Sequence, residues 1–195
     1  MKVVIIRHAE VDFRWSRRCT SEGFDSDCSR YDIASIKKIK YGMQSRSSIA
    51  GKHNCSESVE YEKVYQRIYI SELSRSLDTA EILFPDCDYT VSGLINEVPL
   101  RSSFDTKKTM PLWFWNILGR LQWLMNSTRQ AESRNKTASR ARQFVTMICD
   151  ENTDCAVVTH GFFMHTLLNE MKKAGFRTNK SSAAYKNGEY VIAEK

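Results

Sequence analysis

Apolar and polar positions along the chain follow two rhythms. Residues 2–7 (KVVIIR) and 155–159 (CAVVT) are continuous apolar runs rich in valine and isoleucine. Such runs suit strands buried on both faces of a mainly parallel sheet. RIYIS (67–71), YTVS (89–92) and EYVIA (189–193) read as further strands, the last a candidate for the sheet's edge. Between them the apolar spacing becomes helical. In 74–84, Leu77, Ala80 and Leu83 or Phe84 share a face, and Pro85 stops the helix. In 137–151, Ala141, Phe144, Val145 and Ile148 recur at helical spacing, and 162–176 has its own stripe with Gly175 as the C-terminal stop. Strands alternating with helices predict an α/β fold with helices on both faces of the sheet.

Two regions break the rhythm. Residues 11–60 are polar and rich in Ser, Arg and Asp, and read as loops with little regular structure and room for a helix around 33–41. Residues 99–135 contain PLWFWNILGRLQWLMN, an aromatic helix that could lie on a membrane surface or pack as a subdomain over the sheet's end. With Arg120 its only cationic group, packing is the expectation. No repeat or linker divides the chain, so one domain of 195 residues is expected, the two irregular regions covering its active site.

Composition narrows the function classes. Mean hydropathy is -0.46 and no segment approaches the length of a membrane span. The N-terminal run VVII meets Arg7 and His8, not a small-residue cleavage site, so a cytoplasmic protein is expected. The six cysteines are expected to be free thiols. Cys19, Cys28, His53 and Cys55 lie near one another in sequence, but no C-x-x-C spacing supports zinc, and no metal or cofactor is expected. The net charge of +6 fits either nucleic acid or an anion-collecting site. Because the basic residues are scattered, with no stripe interleaved with aromatics, the second is preferred.

The chemistry concentrates at strand ends. The first strand delivers Arg7 and His8, and the second apolar run delivers Thr159, His160 and Gly161. In open α/β sheets, ligands bind outside the carboxyl ends of the strands. If these two strands are neighbours, His8 and His160 face one crevice. A third strand leads into a helix with Arg75 in its first turn, a setting that favours anions. Glu97 follows the fourth. A histidine at a strand end is usually an ordinary satisfied polar group, but this set together suits phosphoryl transfer. Arginine forks match phosphate oxygens, imidazole can attack phosphorus, and a carboxyl group can protonate the leaving oxygen.

Here the sequence resembles a known family. RHAE after the first strand is similar to the R-H-[GA]-[EQ] signature of the histidine phosphatase superfamily, the phosphoglycerate mutase-like proteins. SELSRSLDTAEIL, INEVPL and VVTHG resemble its segments carrying the second arginine, the acid and the second histidine, in the family's order and over almost the whole chain. Glu132–Ser133 also falls where related sequences often have a similar pair. The resemblance implies a three-layer α/β/α sandwich, His8 as the phosphorylated nucleophile and Glu97 as proton donor. It implies Arg7, Arg75 and His160 as phosphate-binding residues, with His160 stabilising the transition state, and Glu10 and Gly161 in supporting places. Val98-Pro99-Leu100 after Glu97, and Gly161 after His160, place the chain nearest the superfamily's small phosphatases.

The expected activity is therefore hydrolysis of a small phosphorylated metabolite, with inorganic phosphate as product. Nucleic-acid and membrane partners are not expected. A mutase and a catalytically idle phospho-ligand binder are the alternatives. Arg14, Arg17, Arg18 and the Trp113–Trp115 neighbourhood are candidates for setting selectivity from the two irregular regions.

Overall fold

The computed structural model of the chain describes residues 1–37 and 65–195. The central sheet has six strands in the order β4-β3-β6-β1-β8-β7: β1 (Lys2–Arg7), β3 (Arg67–Ile70), β4 (Tyr89–Val91), β6 (Cys155–Thr159), β7 (Arg177–Thr178) and β8 (Tyr190–Glu194). The first four in spatial order are parallel, while β8 runs antiparallel to β1 and β7 antiparallel to β8. The EYVIA strand is thus internal. A two-residue strand beyond it, too short to show a pattern in sequence, takes the edge.

Alternation along the strands sorts side chains into two cores. Val3, Ile5 and Val157 face helices α4 (Arg134–Glu151) and α5 (Gly161–Lys173), where Phe144, Ile148, Met164 and Leu167 cover them. Val4, Ile6, Ala156 and Val158 face α2 (Ser74–Leu83) through Ala80 and Leu83. The molecule is a three-layer α/β/α sandwich. Leu77 lies outside the second core and is partly exposed, because the buried face of α2 is built from Arg75, Ser76, Thr79, Ala80 and Leu83. Helix α5 stops as expected. Gly175 takes a φ of 94°, its N–H bonds Lys172 O, and Phe176 N–H returns to Met171 O.

The polar N-terminal segment does form a helix, at α1 (Ser21–Asp32), well before the 33–41 window; Ile33–Lys37 are not helical, and 38–41 lie outside the described residues, as do His53 and Cys55. Its signals are polar contacts, not an apolar stripe. Thr20 caps its N-terminus by accepting from Gly23 N–H, and buried Asp27 accepts from Ser16 N–H. Phe24, fully buried, stacks on Trp115 of the aromatic helix α3 (Leu112–Leu124) with ring centroids 5.8 Å apart. Trp115 Nε1 donates to Cys19 O at 3.1 Å. Strands β2 (Arg18–Cys19) and β5 (Met110–Pro111) pair beside this contact, so the described part of the first irregular region, residues 11–37, packs with the second. Among the described residues no helix is long and apolar enough to cross a membrane.

Candidate active site

Strands β1 and β6 pair in parallel with Arg7 opposite Thr159, so both run out at the same level of the sheet. His8 N–H donates to Thr159 O at 2.9 Å, extending the ladder by one step. The rings of His8 and His160 consequently meet with centroids 5.1 Å apart. Surrounding groups fix the main chain of His8. Ala9 N–H donates to Thr79 Oγ1, and Asn187 Nδ2 donates to the carbonyls of His8 and Ala9 at 3.1 Å each.

Hydrogen bonding orients each imidazole. His8 Nδ1 lies 2.7 Å from Ala9 O, and a carbonyl can only accept, so Nδ1 carries the proton and Nε2 keeps its lone pair. His160 Nε2 lies 2.7 Å from Ser71 Oγ, which also accepts from Leu73 N–H. The Ser71 hydroxyl proton can then be donated to Nε2, leaving Nδ1 as the ring's N–H donor. Burial lowers the His8 pKa to about 3, with Arg75 and Arg7 pushing in the same direction against the Ala9 carbonyl. Burial also holds His160 well below its ordinary value, and His8 and Arg75 add to the effect. At neutral pH both rings are uncharged.

Two guanidinium groups, that of Arg75 fully buried and that of Arg7 partly so, flank the pair. Arg7 Nη1 donates to Tyr185 O, and Arg75, with no exposed surface, donates to Tyr31 O at 3.1 Å and to Asp32 Oδ1 at 3.3 Å. Those acceptors lie at the C-terminal end of α1, where the helix dipole is negative. Arg7 Nε, Arg75 Nε and His160 Nδ1 are buried and make no hydrogen bond. Buried donors of this kind are rare in folded proteins, and an anion with several acceptor oxygens would satisfy all three. Gly161 explains how Arg7 reaches its place: a Cβ there would lie 2.8 Å from both Cζ and Nε of Arg7.

Glu97 stands at the N-terminus of α5, where Oε1 accepts from Phe163 N–H at 3.0 Å and Oε2 from Phe162 N–H at 3.3 Å. Thr159 Oγ1 donates to Ile95 O at 2.7 Å, tying the Glu97 segment to the end of β6. Arg75 and Glu97 both line a cavity of about 460 Å³, whose other walls include Trp15, Tyr31, Asn116, Arg120 and Arg140. His8 is 2% exposed and lies outside that wall.

The structure thus brings Arg7, His8, Arg75, Glu97, His160 and Gly161 into one region. Glu10 is turned to solvent and pairs with Lys37 at 2.5 Å. Arg14, Arg17 and Arg18 are exposed outside the cavity, and Trp115 is consumed by packing against Phe24. Among the described residues, the cavity's cations other than Arg75 are Arg120 and Arg140. Arg140 is held by Glu132 through bonds of 2.7 and 3.2 Å, and Ser133 caps α4. Ser71, Thr79 and Asn187 carry no sequence signal of their own, since small polar residues at element ends are common everywhere. Among the described residues no cluster could hold a metal ion.

Comparison with known proteins adds an independent line. The family model "histidine phosphatase superfamily (branch 1)" matches residues 54–194, a span that begins after β1, so the place of RHAE rests on sheet geometry. No curated protein matches the chain in sequence. Among solved structures, the native mycobacterial glucosyl-3-phosphoglycerate phosphatase is similar with a TM-score of 0.64 at 18% identity, over 98% of this chain and 88% of that one. A phosphoserine phosphatase mutant from Entamoeba histolytica in complex with phosphoserine is similar with a TM-score of 0.59 at 17% identity, over 98% and 89%. These likenesses establish the shared fold.

Two predictions follow from the buried pair and its glycine. Below pH 6.5 the unfolded histidines take up protons that the folded ones refuse, so the unfolded state binds more protons and stability falls as the pH drops from 6.5 towards about 3. Urea unfolding of wild type and His8→Gln at pH 7 and pH 5 should show a shallower acid loss in the variant, by up to roughly 1.4 kcal/mol per pH unit. Gly161→Ala should keep the circular dichroism spectrum but displace Arg7. Vanadate affinity measured by calorimetry should then fall about tenfold or more, the loss of one charge-assisted bond.

Proposed function

The chain belongs to branch 1 of the histidine phosphatase superfamily, and from that premise we propose that it is a phosphomonoester hydrolase acting through a phosphohistidine on His8. The observation that carries this reading is the pair of neutral imidazoles at the ends of adjacent parallel strands, flanked by two arginines whose buried Nε–H groups are unused.

In the first step the His8 Nε2 lone pair attacks phosphorus, forming an N–P bond as the bond to the ester oxygen breaks. The Ala9 carbonyl holding Nδ1–H keeps Nε2 unprotonated and takes up positive charge developing on the ring. Arg7, Arg75 and His160 Nδ1–H donate to the phosphoryl oxygens, in a buried setting where such contacts are strong. Glu97 gives its proton to the departing alkoxide. In the second step Glu97 takes a proton from water as the oxygen attacks phosphorus, the N–P bond breaks, and inorganic phosphate leaves. Asp32 and the Tyr31 carbonyl occupy Arg75 donors that substrate would use, so phosphoryl binding exchanges one set of acceptors for another.

The cavity supports a finer reading of the substrate, with the chain acting as one catalytic domain whose cavity is walled in part by residues from 15–32 and 97–132. Arg120 donates to Val98 O at 3.2 Å and stacks over Phe162 at 3.7 Å, and forms no ion pair within the described residues. A half-buried cation with free donors, in the same cavity as Arg75 and Glu97, suits a small ester bearing a second anionic group. Phosphoserine, bound in one of the similar structures, has that character.

Incubation with p-nitrophenyl phosphate and with phosphorylated hydroxy and amino acids should release phosphate, and His8→Ala should reduce release below detection. Wild-type protein quenched during turnover should carry an acid-labile, base-stable phosphoryl label that His8→Ala lacks. Phosphate migration without release would indicate a mutase, and phospho-ligand binding with no turnover would indicate an idle binder. Arg120→Gln should raise KM for carboxylate-bearing esters by roughly tenfold or more while kcat/KM for p-nitrophenyl phosphate changes little, because one hydrogen bond to a charged group is removed.

A further inference from the structure

Helix α3 is apolar on two sides, and only one of them is used. Trp115, Gly119 and Trp123 face inward, whereas Trp113, Ile117, Leu121, Leu124 and Met125 are between 46% and 70% exposed. At about 100° per residue these five fall within an arc of roughly 120°, opposite the buried side. A stripe of this kind, some 20 Å long at 1.5 Å per residue, is unusual on the surface of a monomer.

The surrounding charge indicates what covers it. From 106 to 131 the chain contains no Asp or Glu, but has Lys107, Lys108, Arg120 and Arg129. At the N-terminal end of α3, exposed Arg17 lies beside Leu112, whose N–H donates to its carbonyl, exposed Arg18 lies opposite Pro111, and exposed Lys107 and Lys108 precede β5. At the other end, Asn135 N–H donates to Asn126 Oδ1 and sets exposed Arg134 and Lys136 against the helix terminus. The carboxylates that flank this stretch in the sequence, Asp105 and Glu132, are paired with Arg129 and Arg140, and Asp25, which α1 brings to Ser102, is paired with Arg101. The apolar stripe therefore runs between two cationic rims.

We propose that this face docks the protein on an anionic bilayer. The five apolar side chains would lie at the acyl boundary, with Trp113 at headgroup depth and the rims against lipid phosphates and carboxylates. A second copy of the chain is a poorer occupant, because isologous pairing would press like-charged rims together. The helix alone lacks the cations for this role. The fold supplies them from segments before and after it.

The test is cosedimentation of the full chain with phosphatidylcholine vesicles, with and without phosphatidylserine. Binding to the anionic vesicles, weakened by added salt and accompanied by a blue shift of tryptophan fluorescence, supports the proposal. Leu121→Glu/Leu124→Glu should abolish it. Lys107→Gln/Lys108→Gln, which leaves the apolar face intact, should weaken it by roughly thirtyfold, at about tenfold or less per charge. Sedimentation velocity on the same proteins covers the other occupant. No binding to anionic vesicles, equal binding to neutral ones, or a wild-type dimer dispersed by Leu121→Glu/Leu124→Glu would overturn the proposal.

Discussion

The parallel pairing of β1 with β6 is the constraint on which the rest of the site depends. Its register sets Arg7 opposite Thr159, so the next residue on each strand is a histidine at the same height. A slip of one residue would turn every side chain of β1 to the other face and exchange its two cores. That register is held by burial on both sides, Val3 and Ile5 beneath α4 and α5 and Val4 and Ile6 beneath α2. The height of the histidine pair is thus a property of the whole sandwich, to which the bonds from Ser71, Thr79 and Asn187 add the local orientation.

Burial creates the electrostatic character of the site as well as its geometry. Two imidazoles are packed with almost no solvent against one fully buried and one partly buried arginine, and burial together with that positive charge holds both imidazoles below their ordinary pKa. The arginines are tolerated because main-chain carbonyls and Asp32 accept from them. The remaining buried donors, one on each arginine and one on His160, share a common need for acceptor oxygens. Positive charge with unused donors beside uncharged imidazoles is a combination suited to the phosphoryl transfer proposed above.

The α1–α3 unit shows how a polar segment becomes structure through partners. Only three residues of α1 are buried, so no hydrophobic stripe announces it. Its stability comes from the Thr20 cap, the buried Asp27 carboxylate and the stacking of Phe24 on Trp115. Its C-terminal carbonyls reach Arg75, and its wall of Tyr31 and Asp32 helps shape the cavity. One packed unit thus joins the site to the aromatic helix and its exposed face.

The sequence by itself determined the sandwich and its charged set. Buried parallel strands must be continuously apolar, packed helices must repeat at 3.6 residues, and RHAE, SRS, NEV and THG interrupt those patterns at strand ends. Only tertiary structure decided that the two histidines touch, that Gly161 is small to admit Arg7, and that Arg120, not Arg14, Arg17 or Arg18, lines the cavity. It also decided that Ser71, Thr79 and Asn187 orient the site, and that α3 both packs as a subdomain and keeps a bare apolar face. The physical reason is range. Periodicity and capping are local and are written within a few residues, whereas a hydrogen bond from Asn187 to Ala9, or the placing of Arg17 beside the first residue of α3, exists only once distant segments have been folded together.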